Sequence, residues 1–255
     1  FMARALVLAA RGTGWTSPNP LVGAVIVKDG RIIGEGWHTA CGQPHAEREA
    51  LAACAEDPAG STLYVTLEPC CHWGKTPPCT DAILEAGIAR VVVGALDPNP
   101  LVAGQGCAQL REAATVVETG VLEEGCRHLN EVFFHFITTG RPLVVLKYAM
   151  TLDGKAATRT GASRWITGPE ARERVHRDRH RFAAIMVGIG TALADDPALT
   201  CRLEGGPWRQ PLRIVVDSQG RLPLDALLVR TAQEIPTLVA VGPQASAERT
   251  GALRE

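Results

Sequence analysis

Neither sign of charge dominates this sequence: 26 lysines and arginines face 27 aspartates and glutamates, for a net charge of −1. So balanced a chain has no overall pull toward nucleic acid or an anionic membrane surface. It also lacks an apolar run of about 18 residues, so no membrane-spanning helix is expected. Low-complexity tracts, disorder-type composition and internal repeats are absent. No secretory signal is visible, although the chain begins at Phe1 rather than Met, and a cytoplasmic protein is expected. A disulfide framework is not indicated either. The eight cysteines are spread over 255 residues, and three of them cluster beside a histidine. That pattern reads as metal binding in a reducing compartment.

What is present is an alternation of strands and helices. "LVGAVIVKDGRIIGEGW" reads as two strands around an Asp29-Gly30 turn. "PHAEREALAACAE" and "CTDAILEAG" read as helices, "STLYVTLE" as a strand and "RVVVGAL" as a strand buried on both faces. Two helical segments follow, ending before Arg141-Pro142, where the pattern restarts. "LVVLKYAM" is expected as a strand, "PEARERVHRDRHR" as a helix, "AAIMVGIG" as a buried strand, and "LRIVVDS" and "TLVAVG" as further strands. The implied class is α/β, with a sheet covered on both faces. The domains are expected at 1–140 and 141–255.

The chemistry is concentrated in "PHAE", Pro44 to Glu47, and "EPCCHWGKTPPC", Glu68 to Cys79. Zinc suits Cys sulfur and His nitrogen, and a catalytic site uses three protein ligands and leaves the fourth position to water. His45 and Cys79 stand at helix starts, and Cys70 follows a strand. Glu47, in the first turn after His45, could relay a proton from water to a leaving group. Zinc deaminases share this arrangement, with an H-x-E…P-C-x-x-C signature. Here eight residues separate the cysteines instead of two. Cys71 and His72 rival the other ligands, and a structural zinc site is the alternative reading. Cys41, Cys54, Cys107, Cys126 and Cys201 fit buried apolar positions better.

"SPNPLVGAVIV", "PHAE", "LEPCCHWGKTPPCTDAI" and "DPNPLVAGQG" together resemble the bifunctional riboflavin-biosynthesis deaminase–reductases. The long "GKTPPC" spacing separates that family from cytidine and tRNA-adenosine deaminases. "LKYAMTLDGKAAT", "SRWIT" and "VGIGTALADDPALTCR" resemble its reductase half. The resemblance implies a cytidine-deaminase-like three-layer α/β/α domain followed by a dihydrofolate-reductase-like α/β domain. It implies one zinc on His45, Cys70 and Cys79, with Glu47 as the catalytic acid/base and Asn19 against the substrate. Lys75 would meet the phosphate.

In the second half the resemblance places Ala149, Trp165, Thr191, Asp195 and Ser218 along an NADPH site. Lys147, Ser163, Arg179, Leu199 and Arg202 would hold the sugar phosphate. The residues alone say less here, because a full G-x-G-x-x-G is absent. The family's reductase domain continues beyond the point where this chain stops, so weak or absent reduction is expected of this polypeptide. The family also implies a small pyrimidine substrate, no nucleic acid or membrane partner, and a homo-oligomer formed through the reductase half.

Overall fold

The structure is a computed structural model that describes residues 1–74, 77–100 and 102–254. It divides into two compact units, Phe1–Val145 and Leu146–Glu255.

The first unit opens with helix α1 (Met2–Ala10), followed by strands β1 (Gly23–Lys28) and β2 (Arg31–Trp37). These pair antiparallel around the Asp29-Gly30 turn, with both turn residues at positive φ. That geometry is the hairpin conformation an Asp-Gly pair favours. Helix α2 (Ala46–Ala52), strand β3 (Thr62–Leu67), helix α3 (Cys79–Glu85) and strand β4 (Arg90–Ala95) follow. Helix α4 (Gln105–Glu112), strand β5 (Val116–Thr119), and helices α5 (Glu123–Leu129) and α6 (Glu131–Thr139) complete the unit. The sheet order is β2-β1-β3-β4-β5, with β3, β4 and β5 parallel.

Successive side chains of a strand face opposite ways, and the core follows that rule. Ile26, Leu63, Val65, Val91 and Val93 pack on one face with Ala46, Ala50 and Ile83 from the helices. Val25, Val27 and Val92 pack on the other with Met2, Ala5 and Leu8 of α1. Glycines set how closely α2 lies on β2. A Cβ on Gly34 would stand 2.4 Å from the Ala50 carbonyl, and one on Gly36 would stand 2.3 Å from the Ala50 nitrogen. This close approach carries the start of α2 to the end of the sheet where the functional residues collect.

The second unit contains helix α7 (Pro169–Arg181), strand β6 (Ala184–Gly188), helix α8 (Ile189–Asp195) and strand β7 (Leu212–Val216). Helix α9 (Leu227–Arg230), strand β8 (Thr237–Ala240) and helix α10 (Ala247–Ala252) follow. Its sheet is parallel, in the order β6-β7-β8. Its core is Ala192, Leu199, Val215, Leu222, Ala226 and Leu228.

Two expectations are corrected here. "LVVLKYAM" forms no strand, and Leu146 is 82% exposed. A strand needs a ladder partner, and the segment has none among the described residues. "AAIMVGIG" does form β6, but it is half-exposed. Ile185 and Val187 pack on the core while Met186 faces outward. It is an edge strand whose second face is uncovered. Strand β5 is a further edge strand that was not expected: Val116-Val117-Glu118-Thr119 is too short and mixed to show a period.

Candidate active site of the first unit

The parallel strands β3 and β4 end side by side, and a cleft of about 280 Å³ opens beyond them. Open α/β sheets place ligands at this edge. Each expected metal ligand reaches it from a different element. His45 is the extended residue preceding α2. Cys70 lies three residues past β3, and Cys79 is the first residue of α3. Two contacts lock these pieces together. Arg48 Nη2 donates to the Pro78 carbonyl at 2.9 Å, tying α2 to the start of α3. The Cys79 N–H donates to the Cys70 sulfur at 3.3 Å and to its carbonyl at 3.0 Å.

The ligand atoms of His45, Cys70 and Cys79 all lie within 4.8 Å of one another. His45 Nδ1 is 3.5 Å from Cys70 Sγ and 3.4 Å from Cys79 Sγ. A tetrahedral zinc with Zn–S near ~2.3 Å and Zn–N near ~2.0 Å sets those edges at about 3.5 Å. The donor set and its spacing therefore fit zinc. Cys71 and His72 are not members of this cluster, which has three ligands among the described residues. That is the number a catalytic site uses, whereas a structural site takes four.

Electrostatics mark the same point. Glu47 is 3% exposed, and burial pushes its carboxyl up to about 7. In the metal-free chain the two thiols share a hydrogen bond. It lowers Cys70, which His45 assists, and raises Cys79. The hydrogen bond to Cys70 raises His45. The helix start beneath Cys79 opposes the rise at that thiol by favouring a thiolate.

Asn19 lines the cleft beside Pro20 and Val22. Its Nδ2 lies 3.2 Å from His38 Nε2, and His38 Nδ1 lies 3.0 Å from the Pro44 carbonyl. The carbonyl can only accept, so Nδ1 carries the proton and Nε2 accepts from Asn19. Burial lowers the His38 pKa, consistent with this neutral ring. Lys75 lies outside the described residues.

Several cleft residues escaped the sequence reading: His38, Glu68, Asp97, Asn99 and Phe133; His72, expected there as a rival ligand, lines the cleft outside the three-residue cluster. Asp97 is held up at about 6 by burial. The Asp97-Pro98-Asn99-Pro100 turn directly follows a buried strand, and that placement was the available signal. Cys107, Cys126 and Cys201 are buried as expected, but Cys41 and Cys54 are only half-buried.

In the second unit, Arg179, Leu199 and Arg202 come together. Arg179 Nη1 donates to the Thr200 carbonyl at 3.0 Å, and Arg202 Nη1 donates to Thr200 Oγ1 at 2.8 Å. Leu199 adopts a left-handed backbone, φ 52°, which is uncommon for a branched residue. Trp165 and Asp195 are linked through Arg164, whose Nη2 is 3.9 Å from Asp195 Oδ1. The exposed Trp165 ring carries the Arg172 guanidinium 4.4 Å above it. Thr191 is exposed on α8, and Ser218 is exposed just past β7. Lys147, Ala149 and Ser163 lie on exposed or half-exposed segments outside the sheet.

Residues 1–95 match the cytidine and deoxycytidylate deaminase zinc-binding region, and residues 142–254 match the RibD C-terminal domain. The riboflavin biosynthesis protein RibD of Actinobacillus pleuropneumoniae is 57% identical over 240 residues, covering 94% of this chain and 63% of that protein. The Aquifex aeolicus protein of the same name is 52% identical, covering 94% and 67%. The solved diaminohydroxyphosphoribosylaminopyrimidine deaminase/5-amino-6-(5-phosphoribosylamino)uracil reductase of Thermotoga maritima superposes with TM-score 0.88 at 44% identity. It covers 100% of this chain and 76% of that one. Acinetobacter baumannii RibD gives TM-score 0.87 at 44% identity, covering 98% and 70%. The chain thus spans a little under two thirds of the length of the Actinobacillus relative. The first unit has the cytidine-deaminase-like fold, and the second is a dihydrofolate-reductase-like RibD C-terminal domain.

Proposed function

Because the chain belongs to the RibD family of riboflavin biosynthesis proteins, we propose that its first unit deaminates 2,5-diamino-6-(5-phosphoribosylamino)pyrimidin-4(3H)-one. The product is 5-amino-6-(5-phosphoribosylamino)uracil. Water supplies the new ring carbonyl oxygen, and the exocyclic nitrogen leaves as ammonia. The observation that carries this reading is the three-ligand cluster at zinc spacing beside a buried carboxyl, open to a cleft.

His45, Cys70 and Cys79 would hold the zinc. Zinc held there supplies Lewis acidity, which makes water a nucleophile near neutral pH. Glu47 takes the proton from the attacking water and delivers it to the departing nitrogen. Burial raises the carboxyl above the ordinary glutamate range, toward the working pH at which general acid–base catalysis is most effective. Asn19 keeps its amide nitrogen on His38 and so turns its carbonyl oxygen to the ring. Lys75 meets the substrate phosphate.

For the second unit we infer a part in the NADPH-dependent reduction of the ribosyl to the ribityl group. Trp165, Thr191 and Asp195 offer a stacking surface and polar groups near α8. They fit a dinucleotide in kind, with Ala149 and Ser218 beside it. Arg179 and Arg202, with Ser163 and Leu199, would hold the sugar phosphate, as paired guanidiniums do. Lys147 would face the reacting sugar. The exposed Leu146, Tyr148 and Leu152 support self-association through this unit. Eight free thiols support a reducing, cytoplasmic setting. The substrate is small, and nucleic acid is no part of it.

The test is direct. The zinc-loaded chain is supplied with the diaminopyrimidine ribosylamine phosphate, and ammonia and pyrimidine product are measured together. Equimolar release supports the reading. Intact substrate after prolonged incubation refutes it. Addition of NADPH, followed by its loss of absorbance, tests the second step separately.

A further inference from the structure

The first unit contains a clamp made by Asn130. This residue is 3% exposed and stands where α5 ends and α6 begins. Its side-chain amide meets both backbone groups of Leu21. Oδ1 accepts the Leu21 N–H at 2.7 Å, and Nδ2 donates to the Leu21 carbonyl at 2.8 Å. One amide group thereby reproduces the pair of bonds that a residue exchanges with its neighbour in an antiparallel ladder. The two residues are 109 positions apart in sequence.

Leu21 lies between the Asn19-Pro20 loop and β1, and its backbone has no other hydrogen-bond partner among the described residues. The loop's nearby ties are few: the Asn19 N–H donates to the Thr16 carbonyl, and the His38 N–H donates to the Val22 carbonyl. Asn19, Pro20 and Val22 line the cleft on either side of the clamped residue. Phe133, one turn beyond Asn130, lines the same cleft. The break between α5 and α6 therefore serves two ends, turning Asn130 inward and starting the helix that brings Phe133 to the cleft wall. Both residues lie outside residues 1–95, which carry the zinc-binding match.

We propose that Asn130 is a positioning residue for deamination. It fixes Leu21, and through Leu21 it holds Asn19 toward the substrate. This rests on the deaminase reading of the cleft.

The test uses the zinc-loaded full chain as wild type, Asn130→Ala and Asn130→Asp, each also combined with Asn19→Ala. Backbone amide exchange is the first readout and needs no turnover. Leu21 exchange should accelerate at least ~10-fold in Asn130→Ala, while Val65 and Val93 in the sheet stay as in wild type. Steady-state ammonia release is the second. KM should rise about 10-fold with kcat nearly unchanged, and the effect should largely vanish in the Asn19→Ala background, as expected of residues acting in series. Asn130→Asp keeps an acceptor for the Leu21 N–H but loses the donor. Its second carboxylate oxygen then faces the Leu21 carbonyl, so it should raise KM as well, and it replaces the alanine variant should that one fail to fold. Unchanged Leu21 exchange would overturn the proposal, as would equal losses with and without Asn19. A wild type that releases no ammonia would count against the deaminase reading, and the exchange comparison would still decide the clamp.

Discussion

Removing the Glu68 carboxylate should unseat the loop that closes one side of the cleft. Glu68 is 4% exposed and accepts three backbone N–H groups: Asp97 at 3.2 Å, Gly104 at 2.9 Å and Cys107 at 3.1 Å. The last two belong to the start of α4, whose N-cap Gly104 has no side chain to cap the helix. Glu68 supplies that cap from the position just past β3. The fit is tight, since a Cβ on Gly106 would stand 2.1 Å from the Pro69 carbonyl. In Glu68→Ala the Cys107 N–H is left in a buried position, at a cost of roughly 1–3 kcal/mol, and the two half-buried donors lose about 1 kcal/mol each to water. The sum is about 3–5 kcal/mol, a large share of a domain's stability. Glu68→Gln separates hydrogen bonding from simple loss of volume. Its amide oxygen can serve one side of the site, but its NH₂ then faces a donor, so about 2 kcal/mol should still be lost. The assay is urea unfolding of the zinc-loaded protein, read by zinc release so that the signal belongs to the first unit. A Glu68→Gln protein as stable as wild type would show that these N–H groups do not depend on the carboxylate.

Further outcomes concern the rest of the chain. Arg213 is fully buried on β7, and its guanidinium donates to the carbonyls of Ala198, Leu228, Thr231 and Ile235 and to Thr231 Oγ1. Arg213→Met should destabilise the second unit by about 3–5 kcal/mol, because it strands buried acceptors. Calorimetry checks this, and a melting temperature within a degree or two of wild type would refute it. Arg4 and Glu35 join α1 to β2 through a two-pronged ion pair at 2.6 and 2.7 Å. Hydrogen bonding to Arg4 lowers the Glu35 pKa in the folded chain. A depressed carboxyl contributes stability that is in force above its unfolded value, near 4.5, and is lost as pH falls through the folded value. Glu35→Gln should therefore flatten the acid limb of the stability profile and leave its alkaline limb in place. An acid limb identical to that of wild type would contradict the assignment.

How far the sequence could be read depended on the range of the interactions. Local signals worked where one element decided its own shape. The Asp29-Gly30 turn, the buried run Val91–Val93 and the helix starts at His45 and Cys79 needed nothing beyond their neighbours. Those same starts and ends brought His45, Cys70 and Cys79 together, so the cluster at zinc spacing was legible too. Glu68 and Asn130 were not. Their partners lie 29 to 39 and 109 residues away, and no periodicity or motif encodes such a contact. Segment 143–150 has the composition of a strand, but strand formation depends on a partner's free edge, which composition cannot report. Leu199 belongs to the same class. Nothing local foretells a leucine in the left-handed region, which is held there by the packing of the second unit's core.

The central claim is that Glu47 moves protons beside a zinc held by His45, Cys70 and Cys79. The measurement that bears on it most directly is zinc content together with ammonia release from the diaminopyrimidine ribosylamine phosphate, for wild type and Glu47→Gln. About one zinc per chain in both is expected, with ammonia from wild type only and a loss of at least ~100-fold in the variant, as for removal of a general acid–base group. Equal ammonia release from both proteins would contradict the account, and so would a variant that lost its zinc, since Glu47 would then be holding the metal instead of the proton.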